Sequence, residues 1–311
     1  MSDRLAEEWD RHRPVVFGVA YRILGSVADA EDVVQDVWLR AASADLEGVR
    51  DLRAWLTTVA ARRAHDLATS ARARREGYVG PWLPEPLLTG PDAAEPVLLD
   101  ETVSTAMLLV LEELSPPERV AFVLRHAFEA PYERIAEVLG RSPAACRQLV
   151  SRARRRIAAR RDHGGPRATR AERDRVMAAF RDAYLKGDTA ALAELLDPDA
   201  VYLTDGGGEV FAARRPIRGG SRIAEVMTRV GRRTLRAHPV PAEINGGPGL
   251  LLYRDGALVA VDTVEISGGR IVAYHRVLNP AKLRAVRRAA GADRAAGASA
   301  PRGGRSGGRP R

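Results

Sequence analysis

Hydrophobic positions divide this chain into a helical half and a mixed half. From Glu7 to Ser70, and again from Glu101 to Arg161, apolar residues recur at mixed three- and four-residue spacings, which predicts helices. Residues 72–100 between them hold five prolines and three glycines, a density that predicts a linker with extended stretches. A helix is predicted from Ala171 to Lys186, and alternating runs between glycine-rich turns predict strands at Val201–Thr204, Leu250–Tyr253, Leu258–Ile266 and Arg270–Leu278.

The expected fold class is therefore multidomain, with two all-α domains followed by an α+β domain. The boundaries that we predict are a first helical domain at 7–70, a proline-rich linker at 71–100, a second helical domain at 101–161, an α+β domain at 170–283 and a disordered basic tail at 284–311.

The clearest local pattern lies between Ser115 and Ile157. Ser115 precedes two prolines and stands three residues before Glu118, which is a capping-box spacing that opens a helix. Gly140 can end a second helix, and Ser142 can cap a third, in which an apolar stripe recurs at spacings of four, three and four residues: Cys146, Val150, Ala153 and Ile157. Two helices joined by a three-residue turn indicate a helix-turn-helix.

The polar face of that third helix predicts contacts with duplex DNA. Arginine can contact guanine and glutamine can contact adenine, while neighbouring arginines suit phosphates. The alternative is an ordinary helical hairpin with a solvated basic face. The candidate DNA-binding residues are Ser142, Arg147, Gln148, Ser151, Arg152 and Arg155.

Two further surfaces are predicted in the first helical domain. The Ser26–Asp29 capping box opens a helix whose polar face carries Asp32, Gln35 and Asp36, and such an acidic face suits a basic protein partner rather than DNA. The next predicted helix, Leu52 to Leu67, carries Trp55 inward, either as core or to receive an unstacked base. Its predicted polar and basic surface consists of Arg53, Thr57, Thr58, Arg62 and Arg63.

Composition narrows the functional classes without choosing among them. The net charge is +9, but residues 282–311 alone carry a net +8, so the overall charge is weak evidence for specific DNA binding. Cys146 is the only cysteine, which excludes an intramolecular disulfide, and the six histidines lack metal-ligand spacing, so we expect no metal and no cofactor. No stretch reaches the about 20 apolar residues that cross a bilayer, and we expect a cytoplasmic protein without membrane contact.

These motifs, in this order, resemble the extracytoplasmic-function (ECF) sigma factors over residues 8–160. The strings Tyr21–Ser26 and Asp29–Trp38 resemble their region 2, Arg53–Ala60 resembles their −10-binding segment, and Leu114–Arg119 with the helix-turn-helix resembles their region 4. The resemblance implies binding to RNA polymerase core, at the β′ clamp helices and the β subunit, and to promoter DNA at −10 and −35. It assigns core binding to Asp32, Gln35, Asp36 and Arg40, −10 contacts to the segment from Arg53 to Arg63, and −35 reading to the helix from Pro143 to Ile157.

The part after residue 170 resembles a SnoaL-like domain, similar to ketosteroid isomerases. Three strings resemble the WLPEP, DGGG and NPDKL patterns of SigJ-like sigma factors of ECF group forty-one, with Ala281 standing where the last pattern has Asp. We predict that the first string docks near the second and that the third closes the same surface, which would make a separate anti-sigma protein unnecessary. The interdomain candidates are Trp82, Leu83, Pro84, Glu85, Pro86, Asp205, Gly206, Gly207, Gly208, Asn279, Pro280, Lys282 and Leu283.

Three functions therefore compete. The first is a sigma factor that directs promoter-specific transcription initiation under control of its own fused domain, and the second is a one-component helix-turn-helix regulator with a ligand sensor. The third is a SnoaL-like isomerase or cyclase. The acidic face and the second DNA-facing segment favour the first. No acid–base spacing connects the ionisable candidates Asp205, Asp262, His238 and His275, so an enzyme is not expected.

Overall fold

A computed structural model describes residues 3–90, 103–161, 168–230 and 237–298. The first helical domain consists of α1 (Asp3–Leu24), α2 (Val27–Ser43) and α3 (Leu52–Glu76). The Ser26 side chain accepts a hydrogen bond from the Asp29 N–H, as the capping box predicts, but α2 already begins at Val27. Helix α3 continues beyond the predicted end at Leu67, so the linker is shorter than expected.

The second helical domain consists of α4 (Thr105–Glu112), α5 (Pro116–Ala127), α6 (Tyr132–Leu139) and α7 (Pro143–Arg161). Gly140 ends α6 at a φ of 61°, and the predicted apolar stripe of α7 is buried, with Leu149 added to it. Buried residues of the two helical domains belong to one continuous core. They therefore pack directly on each other rather than lying apart on the linker.

The C-terminal domain is α+β, as predicted. It contains α8 (Arg170–Lys186), α9 (Thr189–Leu195), β1 (Leu196–Asp205), β2 (Ile217–Arg218), α10 (Gly220–Val230), β3 (His238–Ile244), β4 (Gly247–Arg254), β5 (Ala257–Ser267), β6 (Arg270–Val277) and α11 (Arg284–Ala298). The described strands form one sheet in the order β2-β1-β6-β5-β4-β3, in which only β1 and β6 are parallel.

The sheet has two differently covered faces, because side chains alternate along each strand. One face, with Tyr202, Leu252 and Tyr274, packs on helices α8 to α10. The other face packs against Leu83 of the linker and Val286 of α11. The linker and α11 thus attach to the side of the sheet that the domain's own α8, α9 and α10 leave uncovered.

The predicted disordered tail is partly wrong. Residues 284–298 form α11, in which Val286 is buried and the Arg287 guanidinium donates to the Leu258 carbonyl oxygen at 3.0 Å. Leu283 and Val286 are apolar at a spacing of three, so one helical turn can bury both on the sheet. Residues 299–311, like 91–102 of the predicted linker, lie outside the described part of the chain. Among the helices described, none is long and apolar enough to cross a membrane.

Candidate functional sites

The polar face of α2 remains largely accessible. Asp32, Gln35 and Arg40 are exposed, and Leu39 beside them is 58% exposed. Asp36 is half-buried, because its carboxylate accepts a hydrogen bond from Arg63 Nε of α3 at 2.6 Å. Three of the four predicted core-binding side chains therefore form a free surface, while the fourth ties α2 to α3.

The predicted polar surface of α3 is largely covered by α6. Thr57 and Thr58 are only 9% and 6% exposed, so the prediction that they lie on the surface is wrong. Thr58 Oγ1 donates to the Ala54 carbonyl oxygen at 2.8 Å and accepts from Arg134 Nη1 at 3.4 Å. Arg62 Nη2 donates to the Glu137 carbonyl oxygen at 3.0 Å, whereas Arg53 is exposed.

The basic face of α7 is exposed at four of the six predicted positions with no ion pair among the contacts described here: Arg147, Gln148, Ser151 and Arg155. The hydroxyl of Ser142, although exposed, accepts a hydrogen bond from the Ala145 N–H at 3.2 Å and so caps the helix. Arg152 Nε lies 3.1 Å from Glu118 Oε1. Burial by itself would raise the pKa of Glu118, but hydrogen bonds from Ser115 and Arg152 hold it below its ordinary value.

Asp205 joins the linker to the C-terminal domain, as the sequence predicts. Its fully buried carboxylate accepts hydrogen bonds from Tyr78 Oη at 2.5 Å, Leu83 N at 2.9 Å and Lys282 Nζ at 2.7 Å. Lys282 Nζ also donates to the Leu83 carbonyl oxygen and lies 4.1 Å from the centroid of the Trp82 ring. We call these five residues the linker seam.

The three glycines after Asp205 permit this close packing. A Cβ on Gly206 would lie 2.2 Å from the Val210 carbonyl oxygen, and a Cβ on Gly207 would lie 2.3 Å from Asn279 Nδ2. Gly207 and Gly208 also adopt φ values of +65° and +79°. Asn279 Nδ2 donates to Tyr78 Oη at 2.8 Å, and its Oδ1 accepts from the Ala281 N–H at 3.0 Å. The substituted position thus enters the network through its backbone.

Glu85 departs from the predicted docking, because it faces the first helical domain. Its Oε2 accepts from the Val27 and Ala28 N–H groups at 2.9 and 3.3 Å, and its Oε1 accepts from Ser26 Oγ at 3.1 Å. Burial raises the pKa of the Glu85 carboxyl above its ordinary value, and these donors act against that rise. Glu85 therefore helps to cap α2, whose first N–H groups have no partner within the helix.

Asn245, which the sequence analysis did not single out, contacts all three parts of the molecule. It lies in the β3–β4 turn at a φ of 53°, and its Nδ2 donates to Tyr21 Oη at 2.6 Å and to the Val103 carbonyl oxygen at 3.1 Å. Its Oδ1 accepts from the Leu87 N–H at 3.2 Å. The Asn245-Gly246 pair indicates a hairpin turn, but nothing local indicates these distant partners.

The ionisable candidates of the C-terminal domain form no acid–base pair. Asp205 lies in the linker seam and His238 is exposed. Asp262 and Arg276 are both fully buried and form a bidentate ion pair with two distances of 2.7 Å, to which Tyr274 Oη also donates. Within the described residues, no group of three His, Cys, Asp or Glu side chains could hold a metal ion.

Comparisons with known proteins agree with this division of the chain. The family model for sigma-70 region 2 matches residues 9–74, and that for sigma-70 region 4 matches residues 104–157. The ECF RNA polymerase sigma factor SigJ of Mycobacterium tuberculosis is 38% identical over 293 residues, which cover 89% of this chain and 92% of SigJ. The probable ECF sigma factor SigI of that species is 33% identical over 90% of this chain and 95% of its own.

The similarity extends to the arrangement of the domains. The crystal structure of M. tuberculosis SigJ matches 90% of this chain and 98% of its own, with a TM-score of 0.74 and 34% sequence identity. Both sigma regions and the C-terminal domain are thus shared with a protein of the same build. The chain belongs to the ECF sigma factors, proteins that are not enzymes and that bind RNA polymerase core and promoter DNA to start transcription.

Proposed function

We propose that this sigma factor is held inactive by its own C-terminal domain in the closed arrangement described above. The observation that carries the proposal is the contact between α6 of region 4 and α3 of region 2. There Arg62 donates to the Glu137 carbonyl oxygen and Arg134 donates to Thr58. Arg62 and Thr58 belong to the segment that we assign to the −10 element. Promoter opening therefore requires region 4 to leave α3.

The roles of the three surfaces follow from the resemblance and from exposure. Asp32, Gln35 and Arg40 are free to bind the β′ clamp helices of the core, next to the β subunit, and Asp36 joins them once Arg63 releases it. The −10 element is assigned to Arg53, Thr57, Thr58, Arg62 and Arg63. The −35 element is assigned to Ser142, Arg147, Gln148, Ser151, Arg152 and Arg155.

The C-terminal domain supplies the restraint through the linker between the two sigma regions. The linker seam fixes Leu83 to the C-terminal domain, while Glu85 fixes the same linker to α2. Two promoter elements must be bound at once, so the distance that the linker allows decides whether both sigma regions can engage. A restraint within the chain would make a separate anti-sigma protein unnecessary.

Spin labels on α3 and α6 test the closed arrangement directly. Cysteines introduced at the exposed positions Thr69 and Glu133 can be labelled selectively, because the native Cys146 is buried. We expect one short distance distribution in the free protein and a longer one in the complex with core polymerase and promoter DNA. An unchanged short distance in a transcribing complex would contradict the proposal.

A second prediction concerns reading of the −35 element. Arg147 and Gln148 are exposed near the N-terminal end of α7, where side chains of a recognition helix reach base edges. Replacing either residue by Ala is expected to cost about 1–3 kcal/mol and to relax specificity at one or two base pairs. Binding to promoter variants measures this, with Arg175→Ala on α8 as the control. Equal losses on all sequences would show contact with phosphate alone.

A further inference from the structure

A separate cleft opens between the C-terminal domain and region 4. It has a volume of about 1580 Å³ and lies between α4 and the face of the sheet that carries the linker. Half-buried apolar side chains form both walls, with Val201, Leu203 and Ala273 from the sheet and Ala106, Leu109 and Val110 from α4. Such a cleft can hold a drug-sized molecule, since typical ligand pockets measure about 300–1000 Å³.

One polar pair lies among these apolar walls. His275 is only 4% exposed, and its Nε2 lies 3.8 Å from Glu265 Oε1. His275 Nδ1 is buried and has no hydrogen-bond partner among the described residues. Both side chains line the cleft, so a molecule bound there can reach that nitrogen.

The protonation of this pair defines the missing partner. Burial lowers the pKa of His275 to about 4, so the ring is neutral at physiological pH. Burial also raises the pKa of Glu265 to about 7, so the carboxyl is mainly ionised above neutral pH. The negative charge beside Nε2 then favours a proton on Nε2, which leaves Nδ1 as a hydrogen-bond acceptor.

We propose that this cleft binds a small, mainly apolar and neutral molecule with a hydroxyl group that donates to His275 Nδ1. An anionic group in that place would be repelled by Glu265. The cleft lies on the opposite face of the sheet from the buried Asp262–Arg276 pair, because Thr263 and His275 alternate with those two residues. One wall belongs to each domain, so a bound molecule stabilises the closed arrangement. That consequence rests on the proposed function, whereas binding itself does not.

The probes for the test are 2-naphthol and 2-methoxynaphthalene, which are similar in shape but differ in the hydroxyl donor. We expect the full chain at pH 8 to bind 2-naphthol about tenfold more tightly, because only this probe can donate to the buried nitrogen. His275→Phe should remove that preference while it keeps an aromatic ring. Ala273→Trp should fill the cleft and abolish binding of both probes.

Intrinsic fluorescence of the probes measures both affinities, and thermal unfolding shows that each variant is folded. Equal affinities in the unaltered protein, a preference that survives His275→Phe, or no binding of either probe would each overturn the inference. The spin-label distances do not depend on these affinities. Failure of this inference can therefore be distinguished from failure of the proposed closed arrangement.

Discussion

Asp262→Ala is expected to destabilise the C-terminal domain by about 3–5 kcal/mol, because it leaves the Arg276 guanidinium buried without its counter-charge. Both side chains are fully buried, and Arg276 Nε and Nη2 each lie 2.7 Å from a carboxylate oxygen. Tyr274 loses its acceptor as well. Urea unfolding followed by circular dichroism measures the change in the free energy of unfolding.

The matched control replaces both charges at once. Asp262→Leu with Arg276→Met keeps similar volumes, and exchanging a whole buried ion pair for apolar residues is often neutral. We expect the double variant to recover most of the lost stability. A cost below about 1 kcal/mol for Asp262→Ala, or a double variant as unstable as the single one, would show that this pair does not stabilise the fold. The expected outcome identifies Asp262 as a structural residue.

Lys282→Met is expected to release the linker and to tighten promoter binding by about tenfold. The apparent affinity of a protein whose binding-competent state is rare is lowered in proportion to that state's population. Lys282 is the only cation in the contacts described for Asp205, and methionine leaves that buried carboxylate uncompensated. We therefore expect a larger open population. Fluorescence anisotropy with promoter DNA measures affinity, and the labels on α3 and α6 report the distance.

Arg284→Met controls for the loss of one positive charge. Arg284 is exposed two residues further on, where it donates to the Ala281 carbonyl oxygen and lies outside the linker seam. This variant should behave like the unaltered protein in both measurements. If Lys282→Met and Arg284→Met give the same affinity and the same distance, the linker seam does not hold the closed arrangement.

Features with a local cause were predictable from the sequence. The caps at Ser26 and Ser142 and the turn at Gly140 depend on neighbouring residues, so spacing alone locates α2, α6 and α7. Strand β3 escaped prediction because Pro239 and Pro241 interrupt its pattern. The structure tolerates them since β3 is an edge strand with β4 as its neighbour.

Features that depend on distant partners were not predictable. Thr58 has the pattern of a surface position on α3 and is buried because Arg134, 76 residues later, packs over it. Glu85 lies within a string that docks on the C-terminal domain, yet its carboxylate turns back 58 residues to the start of α2. Periodicity reports which side of a helix is apolar, but it does not report which other element covers a polar side.

The linker seam also has a consequence for the order of synthesis. Leu83 is translated 122 residues before Asp205 and 199 residues before Lys282, its two partners in the seam. At about 5–20 residues per second, roughly 10–40 s separate the linker from its lysine. Regions 2 and 4 are made in that interval and can fold first. Each newly made molecule thus passes through a period in which its sigma regions are unrestrained, and the seam closes last.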